Sequence, residues 1–184
     1  MVSVNLYKNH HSSLGRINIQ PISLEDIEQI RLWRNSDRVR NTTINKELIS
    51  KQKQKKWFSE LGQRRDYIFK ILLDSKFIGV ASSKVIDSEK LIMQPSLFIG
   101  DELYDGKGYG VYGAILLNDF CFDSMKALIL TIDILKSNKK AIRFNEGLGY
   151  KIESENNNYY SYTLTPNQYY SKREGIMNLI SRIS

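Results

Sequence analysis

The chain has 184 residues, with 27 Lys+Arg against 20 Asp+Glu for a formal charge of +7, and 41% hydrophobic residues, which suits one globular domain with a buried core. The positive balance favours anionic ligands, whether phosphate-bearing cofactors, sugar nucleotides or nucleic acid, without choosing among them. One cysteine, Cys121, excludes an internal disulfide, the pair His10 and His11 has too few partners to complete a metal site, and no apolar run reaches the roughly 20 residues that span a bilayer, so the expectation is a cytoplasmic protein.

Residues 1–15 read as a polar, irregular and flexible N-terminus. Arg16 to Pro21 predicts a short strand, and Ser23 with Asp26 three residues on predicts a helix start whose apolar face is Leu24, Ile27, Ile30 and Leu32. A second helix is predicted from about Glu47 to Leu61, with Leu48, Trp57, Phe58 and Leu61 as its apolar members. Its basic run Lys51 to Lys56 spreads around the helix as a solvated face, without the interleaved aromatics of a stacking platform for nucleic acid.

Tyr67 to Leu73 and Phe77 to Val85 are β-rich runs joined by Asp74-Ser75-Lys76, which predicts an antiparallel hairpin, and Ile92 to Ile99 is a third strand. The order then changes: a glycine loop, a helix from Val111 to Phe122 holding Cys121 as a small buried hydrophobe, a buried strand from Ala127 to Leu135, and a helix from Lys139 to Leu148 stopped by Gly149. This β-loop-α-β-α order implies a parallel crossover joined to an antiparallel meander. Tyr150 to Glu153 and Tyr159 to Leu164 predict a closing hairpin, and residues 166–184 a C-terminal helical extension to a single domain at 16–165.

The loop Asp105-Gly106-Lys107-Gly108-Tyr109-Gly110 is the richest segment. Its glycines leave backbone N–H groups bare at a helix start, where the helix dipole favours phosphate. A Walker loop needs Ser or Thr after Gly-Lys, and Gly108 stands there instead. A dinucleotide fingerprint fits Gly108 to Gly113, with Asp133 lying 20 residues beyond. However, residues 100–107 separate it from the strand, and only about 70 residues follow.

The element order from Ile17 to about Leu164 resembles the GCN5-related N-acetyltransferase (GNAT) family. The family signature has Arg or Gln, then two residues, then Gly-x-Gly/Ala, and the loop matches it except at its first position, Asp105. Asn138 to Tyr150 is similar to that family's Asn-x-x-Ala-x-x-x-Tyr-Glu-x-x-Gly-Phe segment. Leu32-Trp33-Arg34-Asn35-Ser36-Asp37, with Ile44, resembles the branch holding ribosomal-protein N-terminal acetyltransferases and the enzyme acting on an amino-sugar nucleotide in the pseudaminic acid pathway. A structural role for Trp33 as core and Arg34 as a helix-end cation stands beside that reading.

The resemblance implies a mixed α/β fold with a central, twisted, antiparallel/parallel sheet flanked by helices. It implies acetyl-CoA as acyl donor, direct attack by a primary amine, and pyrophosphate bound by Asp105, Gly106, Lys107, Gly108, Tyr109 and Gly110. Phe98, Ile99 and Gly100 would pair with the pantetheine arm, a backbone N–H of Phe98 or Ile99 would stabilise the oxyanion, and Asn138 would hydrogen-bond from the other side. Arg34 and Asn35 would face the substrate. The family's general base falls at Gln94, which cannot accept a proton, with Ser96 and Asp101 as relays through water; its acid tyrosine falls at Asn145, with Tyr112, Tyr150 and Tyr160 as substitutes. An amino-sugar amine is less basic than lysine and suits so weak a relay. The implied substrate is therefore a nucleotide-linked amino sugar for a bacterial surface polysaccharide, with no nucleic-acid or membrane partner and a homodimer left open. Protein N-terminal or polyamine acetylation, or a non-catalytic CoA-binding module, are the alternatives.

Overall fold

The computed structural model describes residues 10–61 and 63–181. An eight-stranded mixed sheet runs through it in the order β1-β2-β3-β4-β5-β6-β8-β7. Strands β1 (Ser12–Leu14), β2 (Ile17–Pro21), β3 (Asp66–Leu73), β4 (Lys76–Asp87) and β5 (Ile92–Ile99) pair antiparallel in chain order. The β3–β4 turn needs only Asp74 and Ser75, both at positive φ (46° and 72°), as a two-residue primed turn demands. Residues 12–14, expected to be irregular, instead pair with β2, and His10 sits edge-on against Phe120 at 4.8 Å and Phe69 at 5.6 Å. Residues 1–9 lie outside the described residues.

Three helices follow β2. Helix α1 (Ile27–Asn35) starts three residues later than expected, although Ser23 does bond Asp26 through both its N–H and its hydroxyl. Its buried residues are Ile27 and Ile30, whereas Leu24 and Leu32 are 63% and 50% exposed. A single-turn helix α2 (Asp37–Arg40), capped by Ser36, was not foreseen. Helix α3 (Lys51–Glu60) keeps its lysines in solvent but buries Gln54, and Leu48, expected on its apolar face, is exposed. Ile30, Ile68 and Val80 form a small core under these helices, with Trp33, Trp57 and Phe98 packed against it.

The main core lies on the other face of the sheet, beneath helix α4 (Tyr109–Asp119) and the π-helical turn Phe120–Ser124. Gly113 lets α4 approach closely: a Cβ there would stand 2.9 Å from Ile71 Cδ1 and from Leu97 Cδ1. Cys121 is fully buried and its thiol is pushed up to about 12 by that burial, which fits an inert core residue. The crossover delivers β6 (Ile129–Leu135) parallel to β5, as the loop-helix-strand order requires. Helix α5 (Lys139–Gly147) ends before Gly149 at φ +100°. In the closing hairpin, β8 (Tyr159–Leu164) rather than β7 (Lys151–Glu155) pairs with β6. Helix α6 (Pro166–Ser181) is anchored by buried Tyr169, whose hydroxyl donates to Asp119 at 2.7 Å, and by Arg173, which pairs with the same carboxylate.

Candidate active site

Strands β5 and β6 pair only at Ile92↔Ile129 and Met93↔Leu130 and then separate. The β4–β5 register decides which β5 groups face the opening. Gly100 donates to Ile78 O at 2.8 Å, so by alternation the even residues 94, 96 and 98 bond β4, while Leu97 and Ile99 turn their N–H and C=O groups away from it. Of the two N–H groups expected as oxyanion donor, those of Phe98 and Ile99, only that of Ile99 is turned away from β4. Phe98 is corrected out of that role: its N–H is directed at β4 and its ring packs on the small core. Gln94 and Ser96 share the face of Phe98, with Ser96 exposed.

Where β5 ends, three elements meet. The Trp33 indole lies so close to Gly100 that a Cβ there would stand 2.0 Å from its Cδ2. Arg38 of α2 donates to Ile99 O (3.1 Å), to Gly100 O (2.6 Å) and to the Asp105 carboxylate (3.0 Å). Lys140 of α5 reaches the same carboxylate at 3.2 Å. Asp105 is thus an ionic anchor of the loop, not a phosphate ligand as the motif placed it. Two cations against one carboxylate leave this corner net positive. No sequence signal marked Arg38, because its three acceptors lie 61 to 67 residues away.

Beyond Asp105 the loop passes through Gly106 (φ +75°) and Gly108 (φ +87°) into α4. Its own backbone bonds use the N–H groups of Lys107 and Val111, while those of Gly108, Tyr109 and Gly110 open the helix, where intrahelical acceptors are lacking. A Cβ on Gly108 would meet nothing within 4 Å and one on Gly106 only Lys140 Nζ at 3.7 Å, so the bare backbone borders open space. These residues fit a phosphorylated ligand: free donors, a helix dipole and two lysines, Lys107 and Lys140, at one place. Asn138 caps α5 through Oδ1 to the Ala141 N–H (3.1 Å), which leaves its amide nitrogen for a ligand.

The remaining candidates separate. Asn35 is spoken for: it donates to Ile49 O (2.9 Å) and accepts from Ile49 N–H (2.8 Å), so it pins the 46–50 segment instead of facing a substrate. Arg34 is half-buried with no hydrogen-bond or ionic partner among the described residues, and burial pushes its guanidinium below the ordinary arginine value. Asn145 donates to Ala141 O at 2.9 Å and stays on its own helix. Asp101 pairs with Lys76 (3.2 Å) and caps a short 3₁₀ turn, which removes it as a relay. Tyr150 is buried, and that burial raises its hydroxyl well above 10; Tyr160 lies on β8 under Lys136 Nζ, 4.8 Å from the ring centre. A cavity of about 460 Å³ opens at the end of β6, lined by Ile44, Lys46, Leu135, Lys136, Ser137, Asn157, Asn158 and Tyr159. Ile44 was singled out in the sequence; the cavity was not foreseen. No carboxylate lines it, although Glu155 pairs with Lys136 at 2.6 Å.

The Acetyltransferase (GNAT) domain family matches residues 19–170. No match is found among curated proteins. Among solved structures, apo FdhC, a nucleotide-linked sugar GNAT, is similar at 21% identity over 91% of this chain and 97% of its own, with a TM-score of 0.80. Spermidine N-acetyltransferase from Vibrio cholerae, in complex with CoA and spermine, is 13% identical over 85% of this chain and 99% of its own, with a TM-score of 0.79. Aminoglycoside acetyltransferase AAC(6')-Ib in complex with coenzyme A is 16% identical over 85% and 99%, with a TM-score of 0.75. At these identities the likeness is one of fold.

Proposed function

The chain belongs to the GNAT acetyltransferase family, and from that premise we propose that it transfers an acetyl group from acetyl-CoA to the primary amine of a nucleotide-linked amino sugar. The observation that carries the reading is the end of β5, where the unpaired Ile99 N–H and the bare N–H groups of Gly108 to Gly110 border one opening. When bound, acetyl-CoA supplies the activated acyl group. The loop from Gly106 to Gly110, with Lys107 and Lys140, holds the pyrophosphate. Leu97 and Ile99 bond the pantetheine arm as a short added strand, Gly100 leaves room for Trp33 beside it, and Asn138 closes from the α5 side. The Ile99 N–H stabilises charge on the acyl oxygen.

The acceptor loses its proton to water held by Ser96 and Gln94, which serves because a sugar amine is less basic than the roughly 10 of an alkylamine. Asn145 cannot supply an acid, and a thiol with a pKa near 8.5 leaves as thiolate without one. A cavity lined by Lys46 and by Lys136, the latter paired with Glu155, and with no carboxylate in its own lining favours an anionic acceptor over a polyamine such as the spermine bound in one of the similar structures. The setting proposed is bacterial cytoplasm, on the route to a surface polysaccharide, with a homodimer as the assembly to look for. No helix among the described residues is long and apolar enough to cross a membrane.

Thermal unfolding with acetyl-CoA, CoA, NADH or ATP tests the cofactor, since a ligand at a hundred times its Kd adds about 2.7 kcal/mol. Stabilisation by acetyl-CoA and CoA, followed by thiol release with amino-sugar nucleotides and not with spermidine, is expected. Stabilisation without release from any amine would make the chain a CoA-binding module, and stabilisation by NADH alone would overturn the reading.

A further inference from the structure

The two strands that border the opening carry one acid between them. β5 reads IMQPSLFI and β6 reads ILTIDIL, so Asp133 is the single carboxylate on either edge of the gap. The parallel pair Met93↔Leu130 fixes its height: three residues further along each strand stand Ser96 and Asp133, level with one another where the strands separate. Met93 and Leu130 are buried in the main core, and an odd step along a strand reverses the face. Ser96 and Asp133 therefore both lie on the opposite, helix-side face of the sheet, and both are exposed there. Asp133 thus confronts Ser96 and Gln94 from the other strand.

Two features set this carboxylate apart. Ser161 on β8 donates its hydroxyl to Asp133 Oδ1 at 2.6 Å, which orients the group and leaves Oδ2 without a partner among the described residues. Asp133 also makes no ion pair among them, whereas Asp101 is held by Lys76, Asp105 by Arg38 and Lys140, and Glu155 by Lys136. Its place under the cavity follows from the β6–β8 register. Leu135 and Tyr159 face each other across these strands and line the cavity, and Asp133 with Ser161 is the next pair on the same face. That pair lies about 7 Å nearer to where β5 and β6 meet. An acceptor seated in the cavity therefore has lysines beside it and one carboxylate beneath it.

We propose that Asp133 is the general base of the transfer, drawing the ammonium end of the acceptor down from the cavity and receiving its proton. This rests on the transferase reading above and gives the proton an end point that Ser96 and Gln94, neither of them a base, do not supply. A carboxylate reached directly or through one water is within the range over which a general base acts. The ammonium gives its first proton through that water to Asp133, which returns it to solvent through the cavity. The freed nitrogen pair then forms the N–C bond to the acyl carbon, the C–S bond breaks, and the thiolate leaves with its electron pair. The excess proton on the new amide nitrogen follows the same path. Ser161 is a positioning residue, because it acts only through Asp133.

The test uses the full chain, with thermal unfolding in CoA to read cofactor binding and thiol release from acetyl-CoA, with UDP-glucosamine or glucosamine as probe amine, to read transfer. Asp133→Asn keeps the shape and an acceptor for Ser161, so it should melt as the wild type does and gain the same stabilisation from CoA. Its kcat should fall about 100- to 1,000-fold near neutral pH. The deficit should shrink from about pH 7 to about pH 9, as solution supplies the free amine. Formate should restore part of the rate to Asp133→Ala and none to Asp133→Asn, whose amide fills the place, and Ser161→Ala should lose less than about tenfold. An undiminished kcat in Asp133→Asn, a deficit equal at every pH, or a deficit accompanied by lost CoA stabilisation overturns the role of Asp133. Absence of CoA stabilisation in the wild type sinks the transferase reading itself, and stabilisation without thiol release from either amine removes the proposed acceptor and its base together.

Discussion

Replacement of Arg38 by alanine tests how the opening is held. The side chain reaches two main-chain carbonyls and one carboxylate, at 3.1, 2.6 and 3.0 Å. Each carbonyl bond contributes about 1 kcal/mol net, because water replaces part of it in the variant. The ion pair is about a third exposed on each side (30% and 33%) and is discounted to about 0.5 kcal/mol. The loss is therefore about 2–3 kcal/mol, which for a domain of this size lowers the melting temperature by about 5–10 °C. Lysine keeps the charge but cannot span three acceptors with one ammonium, so Arg38→Lys should recover less than half. The stabilisation given by saturating acetyl-CoA should shrink in Arg38→Ala, since both the end of β5 and the anchor of the glycine loop lose their common tie. Circular dichroism melts with and without acetyl-CoA read both effects. An alanine variant melting within about 1 °C of wild type, with the same response to acetyl-CoA, would refute the view that this guanidinium organises the site.

Gly100→Ala places a methyl group 2.0 Å from Trp33 Cδ2 and 2.2 Å from Cε3, and a rigid indole cannot yield without moving α1, so destabilisation of about 2 kcal/mol or more is expected in urea unfolding. The double variant Gly100→Ala/Trp33→Leu should be less destabilised than the two single losses combined. Burial, with a smaller contribution from His11, lowers the pKa of His10 below 6.5. The unfolded chain then takes the proton more readily than the folded one, so stability is full above pH 6.5 and falls as the pH drops through the folded value. His10→Phe should flatten the decline of melting temperature between pH 7 and 5; an unchanged decline would refute the assignment.

Local chemistry was legible in the sequence where it acts locally. The bounds of β5 at Ile92 and Ile99, the hairpin turn at Asp74, expected as three residues and built from two, the glycine loop and the Gly149 stop each depend on residues within a few positions. What escaped were features made by distant segments. The exposure of Leu24, Leu32 and Leu48 follows from α1 and α3 packing through Ile27, Ile30, Trp33 and Trp57, and spacing alone cannot say which side of a short amphipathic helix meets the sheet. Asn35 and Arg34 are neighbours in one motif, yet one pins Ile49 while the other stands unpaired, because consecutive helical residues point about 100° apart. Which of the Phe98 and Ile99 N–H groups is turned away from β4 needed the β4 register, which no property of β5 reveals. The turn at Ser36 that starts α2 and delivers Arg38 is capped locally, but its purpose is visible only at Ile99, Gly100 and Asp105.

Proline at position 95 belongs to the odd set of β5, and after Met93 its nitrogen is the next position from which a ladder to β6 would draw a donor. It has no hydrogen to give. The parallel ladder therefore loses a donor at the very position where its pairing stops, and the sequence itself disfavours closing the gap between β5 and β6 at that point.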